Sequence, residues 1–294
     1  MNDKLAEVFS KMFDFSITAN LLSYDFVQQA LLAAFILGLL AGMIGPLIIS
    51  RQMSFAVHGT SELSLTGAAA ALLAGVSVGL GAIAGSVIAA ILFGILGTKA
   101  RERDSVIGVI MSFGLGLSVL LMWLYPGRTG TSFSLLVGQI VGVGNTGLTL
   151  MLICAVLVLG VLAVVYRPLL FASTDPEVAL ARGVPVRALS IVFAVLVGIT
   201  AALGVQIVGA LLVLSLLITP AAAAARITAN PLRATYLSCA FALTAAVGGI
   251  LLSLAPGVPV STFVTTISFL IYVVCRIIGS RRDRNAGRKV PIAA

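Results

Sequence analysis

His58 and Glu62 stand four positions apart in the string Arg51-Gln-Met-Ser-Phe-Ala-Val-His58-Gly-Thr-Ser-Glu62-Leu-Ser-Leu-Thr-Gly67. His58 is the one histidine of the chain, and Glu62 is the one acidic residue inside any of its long apolar runs. On a helix this spacing puts both side chains on one face. Imidazole and carboxylate are donor types that divalent transition metals accept. Ionisable groups within hydrocarbon are costly, and so mark function by default. The pair therefore reads as half of a transition-metal site or as part of a proton pathway. Two structural alternatives compete with it: hydrogen bonding of His58 to the nearby hydroxyls of Thr60, Ser61 or Ser64, and an ion pair between His58 and Glu62. Two donors do not complete a shell of four to six ligands, so other helices, a second copy of the chain or water must supply the rest. Sparse ligation suits conduction, since a fully ligated ion leaves slowly.

The elements that would hold such a pair are membrane helices. The chain is 60% hydrophobic and 10% charged, with a mean hydropathy of +1.17, more apolar surface than a soluble domain hides. The fold class expected is an all-α polytopic membrane protein, because 294 residues allow roughly eight or nine spanning helices of about 20 residues with short loops. No room remains for a sizeable soluble domain, so an energy-coupling enzyme must be a separate chain. The apolar segments run over Val27–Ile49, Phe55–Gly75, Gly79–Gly97, Val106–Tyr125, Leu148–Tyr166, Ala188–Leu203, Val205–Ala225, Thr235–Leu254 and Val260–Ile278. Residues 1–26 form an N-terminal segment whose mixed residues 3–24 read as an amphipathic interfacial helix. Residues 27–279 are the membrane domain, and 280–294 a basic tail suited to anionic lipid more than to nucleic acid. The N-terminal acids Asp3, Glu7 and Asp14 argue against a cleavable signal peptide. Gly38-x-x-x-Gly42 and Gly81-x-x-x-Gly85 fit close helix packing. Cys154, Cys239 and Cys275 lie far apart in apolar runs and read as inert thiols rather than as a disulfide or thiolate site.

If nine spans alternate, 15 of the 18 Lys and Arg residues, Arg51 and Arg182 among them, fall on one side, and only Lys4, Lys11 and Arg128 fall opposite. By the positive-inside rule the rich side is the cytoplasm, which places the C-terminus inside a cell or inner membrane and the N-terminus outside. Trp123 and Tyr125 then serve as interfacial anchors. Residues 126–147 are expected to include a short or re-entrant external helix. On the cytoplasmic side, a loop at about 171–187 carries Ser173-Thr-Asp-Pro-Glu-Val-Ala-Leu-Ala-Arg-Gly183. There Thr174 or Asp175 can cap a short helix, Pro176 suits its first turn and Gly183 its end. Acidic residues in a first turn also favour the helix dipole, which is a purely structural reason for Asp175 and Glu177. Counted from Arg51 at about 1.5 Å per residue, Glu62 stands about 16 Å along its helix, near the middle of a core about 30 Å thick.

Five stretches in order resemble the permease subunits of ATP-binding-cassette (ABC) importers for zinc, manganese and iron. They are Arg51-Gln-Met with the following stretch to Leu65-Thr-Gly67; Arg103-Asp-Ser-Val-Ile-Gly108; Leu136-Val-Gly-Gln-Ile-Val-Gly142; Thr174-Asp-Pro-Glu177 with Ala181-Arg-Gly183; and Gly209-Ala-Leu-Leu-Val-Leu-Ser-Leu-Leu-Ile-Thr-Pro-Ala221. The resemblance implies a homodimeric permease, not an enzyme, that imports a divalent transition metal with no permanently bound cofactor. It implies two further partners, a cytoplasmic ABC ATPase subunit and an extracytoplasmic metal-binding protein. It also implies that Thr174, Asp175, Pro176, Glu177, Arg182 and Gly183 belong to the ATPase-coupling helix. Where the family carries Asp and, four residues later, His along the metal path, this chain has His58 and Glu62, the same ligand types in reversed order. One imidazole and one carboxylate suit zinc and manganese alike; zinc is placed first by a small margin, with iron open.

Independently of the resemblance, the chain lacks a phosphate loop. The nearest string, Gly94-Ile-Leu-Gly-Thr-Lys99, has the wrong spacing. An ion- or proton-coupled secondary transporter acting alone is the alternative function, with Glu62 as proton carrier, but paired broken helices of an inverted repeat are not evident. A membrane enzyme would need a catalytic cluster, and the sequence offers no second His, no Ser-His-Asp set and no carboxylate pair.

Overall fold

The computed structural model describes residues 15–96, 100–127, 144–209, 213–256 and 258–287. Among these residues all regular structure is helical. The elements in order are α1 (Phe15–Leu21), α2 (Asp25–Ser50), α3 (Ser54–Ala74), α4 (Val78–Leu96), α5 (Ala100–Leu124), α6 (Asn145–Thr174), α7 (Pro176–Ala181), α8 (Val186–Val208), α9 (Val213–Leu217), α10 (Thr219–Ile227), α11 (Pro231–Leu254) and α12 (Val260–Gly287). Their ends follow local chemistry. The Asn230 side chain accepts from the backbone N–H of Leu232 and Arg233, and Pro231 opens α11. Gly75, with φ of 71°, closes α3 in the left-handed conformation that a glycine adopts at no steric cost.

Among the described residues six helices are long and apolar enough to cross a membrane, within 25–50, 104–124, 145–174, 186–206, 231–254 and 260–281. Three of the nine expected spans differ from that pattern. The segment at 55–75 is a 21-residue helix, α3, but its Ser, Thr, His and Glu residues make it less apolar than the six, and its neighbours bury it. The segment at 79–97 is shorter, its apolar part running from Val78 to Gly94. The segment at 205–225 is not one helix: α8 continues to Val208, Gly209 turns the backbone at φ of 91°, and α9 and α10 follow as separate short helices. A glycine released from L-residue sterics ends α8 there, which the apolar pattern alone did not reveal. At the other end α12 runs on without a break to Gly287, past residue 280 where the basic tail is expected to begin. Of the expected N-terminal interfacial helix only the part from residue 15 lies in the described residues, where α1 stands, and the expected external helix falls almost entirely outside them.

The core centres on α2, α3 and α8. α2 lies along α11, α3 is held by α4, α5 and α8, and α5, α6 and α12 form the outside. Large apolar side chains on those outer helices, such as Val109, Phe113, Val164 and Phe269, are exposed, as suits faces turned to hydrocarbon. Both small-residue motifs mark tight crossings. A Cβ on Gly67 would stand 2.2 Å from the Gly81 carbonyl oxygen, and one on Gly42 would stand 2.3 Å from the Cys239 Cα. Backbone contact of this kind replaces the hydrophobic driving force that a lipid solvent does not provide.

Candidate metal path

His58 and Glu62 both project from α3, which α4, α5 and α8 enclose. Helix spacing brings them to one face; packing then decides how much water reaches them. His58 is half-buried, whereas Glu62 is 4% exposed. His58 Nδ1 and Glu62 Oε2 are buried and have no hydrogen-bond partner, so neither atom serves the other. The hydroxyls that might have satisfied the imidazole turn to the backbone: Thr60 Oγ1 donates to the Val57 carbonyl (2.9 Å) and Ser61 Oγ to the His58 carbonyl (2.8 Å). Ser64 Oγ is also unpartnered, yet six residues at 3.6 per turn put it on the far side of the helix from the pair.

Buried polar atoms are nearly always paired, because an unpaired one loses its hydration without compensation. Two unpartnered atoms of metal-ligand type on one face are therefore the feature of this helix that stability does not explain. The wall around them is closely packed. Thr66 Oγ1, one turn beyond Glu62, donates to the Gly114 carbonyl of α5 (2.8 Å) and to the Glu62 carbonyl (3.1 Å). A Cβ on Gly59 would meet Phe93 and Ile107 at 2.8 Å, so α4 and α5 both press on the turn between the two side chains. Among the described residues no group of three or more His, Cys, Asp or Glu side chains comes together. Among the described residues His58 and Glu62 are thus the only two of these residue types on this face.

A cavity of about 370 Å³ lies elsewhere on α3, lined by Met53, Ala56 and Thr60, with Arg51, Ser173 and Pro176 on its other walls. At 3.6 residues per turn Ala56 and Thr60 face away from His58 and Glu62. The cavity therefore lies behind the pair, between α3 and the segment around α7.

That segment is a single short turn of helix with defined ends. Asp175 is its N-cap, accepting from the Val178 N–H (3.1 Å); Pro176 is at its start and Glu177 in its first turn. Thr174 is instead the last residue of α6, its Oγ1 donating to the Leu170 carbonyl (2.9 Å). Arg182 is the C-cap, and Gly183 takes φ of 79°. Asp175, Glu177 and Arg182 are exposed. The six residues expected to meet a partner thus form one compact knob, separated from the His58–Glu62 face by the thickness of α3.

With this geometry in view, the chain was compared with known proteins. The ABC 3 transport family matches residues 23–279. The chain belongs to that family. A manganese transport system membrane protein, MntC of Halalkalibacterium halodurans, is 34% identical over 237 residues, 79% of this chain and 80% of the relative. A manganese import system permease protein, ScaB of Streptococcus gordonii, is 30% identical over 268 residues, 91% of this chain and 96% of the relative. The solved structure of PsaBC from Streptococcus pneumoniae in complex with Fab matches with a TM-score of 0.79 at 27% identity, covering 88% of this chain and 94% of that one. As an ABC 3 permease the chain is a helical membrane subunit of the metal-importer type and not an enzyme.

Of the five motifs that suggested the family, 51–67 builds the loop before α3 and most of α3, 103–108 lies in α5, and 174–183 builds the knob. The stretch at 209–221 spans the break between α8 and α10, and 136–142 lies outside the described residues. Sequence reasoning missed the partners of Arg51. Its guanidinium donates to Ser173 Oγ and Ser190 Oγ, 122 and 139 residues away, and lies over the Phe193 ring at 5.6 Å. Contacts at that separation leave no local trace. The Thr66 bridge to Gly114 was missed for the same reason.

Proposed function

We propose that this permease carries a divalent transition metal ion into the cell, past His58 and Glu62, driven by ATP hydrolysis in a separate subunit. The observation that carries this reading is the pair of buried, unpartnered ligand atoms on one face of the enclosed helix α3. A passing cation would supply what both atoms lack. Manganese is now the first choice over zinc, since MntC and ScaB are both named for manganese transport, and a carboxylate with one imidazole accommodates it.

With two donors per chain, two copies related by a two-fold axis would bring four to one ion, which supports a homodimer. The knob of α7 is the docking point for the ATPase subunit, through Asp175, Glu177 and Arg182, and an extracytoplasmic metal-binding protein delivers the ion on the opposite side. The charge asymmetry supports a C-terminus in the cytoplasm of the cell that holds this permease in its plasma membrane.

The decisive experiment is uptake of radioactive manganese and zinc into vesicles holding the permease with its co-expressed ATPase, with Glu62→Gln as control. ATP-dependent manganese uptake that disappears in the variant is the expected result. Equal uptake by wild type and variant would remove Glu62 from the path, and a preference for zinc would reverse the order of metals.

A further inference from the structure

We infer that Arg51 is the positioning residue through which the α7 knob acts on the metal-bearing helix, a role that rests on the reading of α7 as the ATPase-docking element. Arg51 follows the last residue of α2 and stands three residues before Ser54, the first residue of α3. Its side chain reaches across to the two helices that flank α7. It donates to Ser173 Oγ (3.1 Å), in the last turn of α6, and to Ser190 Oγ, in the second turn of α8.

Both hydroxyls are already committed as donors to their own helices, Ser173 to the Leu169 carbonyl (2.6 Å) and Ser190 to the Val186 carbonyl (2.9 Å). Each therefore turns lone pairs toward the guanidinium, whose rigid planar fork serves both from two separate nitrogens, whereas a lysine would have to reach both from one compact ammonium. The Phe193 ring lies under the guanidinium, 5.6 Å from its carbon, and adds a cation–π attraction.

The backbone beside Arg51 is built to carry a displacement into α3. Gln52 has φ of 53°, the one positive value for a non-glycine residue among the described residues. The elbow is pinned by hydrogen bonds from Gln52 N–H to the Ile49 carbonyl and from Met53 N–H to the Ile48 carbonyl, and α3 starts with Val57 N–H on the Met53 carbonyl. A tight elbow of this kind transmits movement of Arg51 rather than absorbing it. The cavity between Pro176, Ser190, Ala56 and Thr60 leaves α3 space to move toward α7 without collision. His58 and Glu62 lie on the opposite face, so a shift of α3 into the cavity withdraws both ligands from the path together.

The test uses the permease–ATPase complex in vesicles, reading manganese taken up per ATP hydrolysed, with Arg51→Gln and, separately, the double variant Ser173→Ala/Ser190→Ala, which leaves Arg51 in place. The expected result is an intact complex on co-purification, continued ATP hydrolysis, and a fall of about tenfold in metal per ATP, within the range of ordinary intersite coupling. Arg51→Lys should fall between, keeping the charge over Phe193 but losing the fork. An unchanged ratio in both variants would overturn the inference, as would loss of the complex in both, which would make Arg51 a support for docking alone. Asp175→Ala and Glu177→Ala, run in parallel, separate the two readings. If they keep both complex and ratio while Arg51→Gln uncouples, α7 is not the docking element and Arg51 acts through another contact.

Discussion

Glu62 is a carboxylate with one oxygen left unpaired inside a helix packed on several sides, and that single fact generates opposite expectations for transport and for stability. Glu62→Gln keeps the shape and removes the charge, so manganese uptake should drop to the level of empty vesicles. Folding should not suffer, because glutamine keeps the shape and the Glu62 Oε2 it replaces has no hydrogen-bond partner to lose. A melting temperature in detergent equal to or above that of the wild type, together with lost uptake, is the expected pair of results; a large drop would mean that the carboxylate is structural. His58→Ala should abolish uptake in the same assay. Thr66→Val makes the complementary case. It deletes the bond to the Gly114 carbonyl and should cost about 1 kcal/mol, visible as a lower melting temperature. The His58–Glu62 spacing was legible from the string alone, since period and residue type suffice for it. That the neighbouring hydroxyls turn to the backbone was not, since Ser and Thr can equally bond a side chain or a carbonyl one turn back.

Two elements carry most of the arrangement, the α3–α4 crossing and the α7 knob. The crossing depends on Gly67, Gly81 and Gly85 having no side chains. Gly67→Val forces backbone against backbone, and we expect a loss of about 1–3 kcal/mol, read as a lowered melting temperature together with lost uptake. At the knob, Asp175 has two separable properties, its cap and its charge. Asp175→Ala removes the cap, worth about 1 kcal/mol, whereas Asp175→Asn keeps a capping side chain without the charge. If charge holds the ATPase, both variants should release it on co-purification; release by alanine alone would assign the effect to the helix. Capping signals are local, which is why the knob could be read from Asp175, Pro176 and Gly183. The break after Val208 could not, because one glycine in an apolar run is as compatible with a continuous helix as with a turn.

For the whole molecule, the number of donors sets an expectation about assembly. Among the described residues the proposed path has two candidate donor side chains per chain, so the proposed homodimer is expected to bind one manganese ion per two chains. Elemental analysis of purified permease at saturating manganese, alongside its mass in solution, measures this directly. One ion per chain on a monomer would mean that another helix of the same chain completes the shell. The exposed apolar faces of α5, α6 and α12 leave ample surface for lipid and for a second copy.

Composition and periodicity by themselves determined that the chain is a helical membrane protein and that His58 and Glu62 share a face, and they outlined the short cap-to-glycine helix after α6. Each follows from interactions within about one turn of helix, or from total apolar content, and such information is written along the chain. Only the tertiary structure decided that α3 is enclosed although Ser, Thr, His and Glu residues interrupt its apolar run, that His58 Nδ1 and Glu62 Oε2 remain unpartnered, and that Arg51 ties the elbow before α3 to both flanks of α7. Those properties depend on residues more than a hundred positions apart meeting in space, and no local pattern encodes which polar side chains such packing will satisfy and which it will leave open.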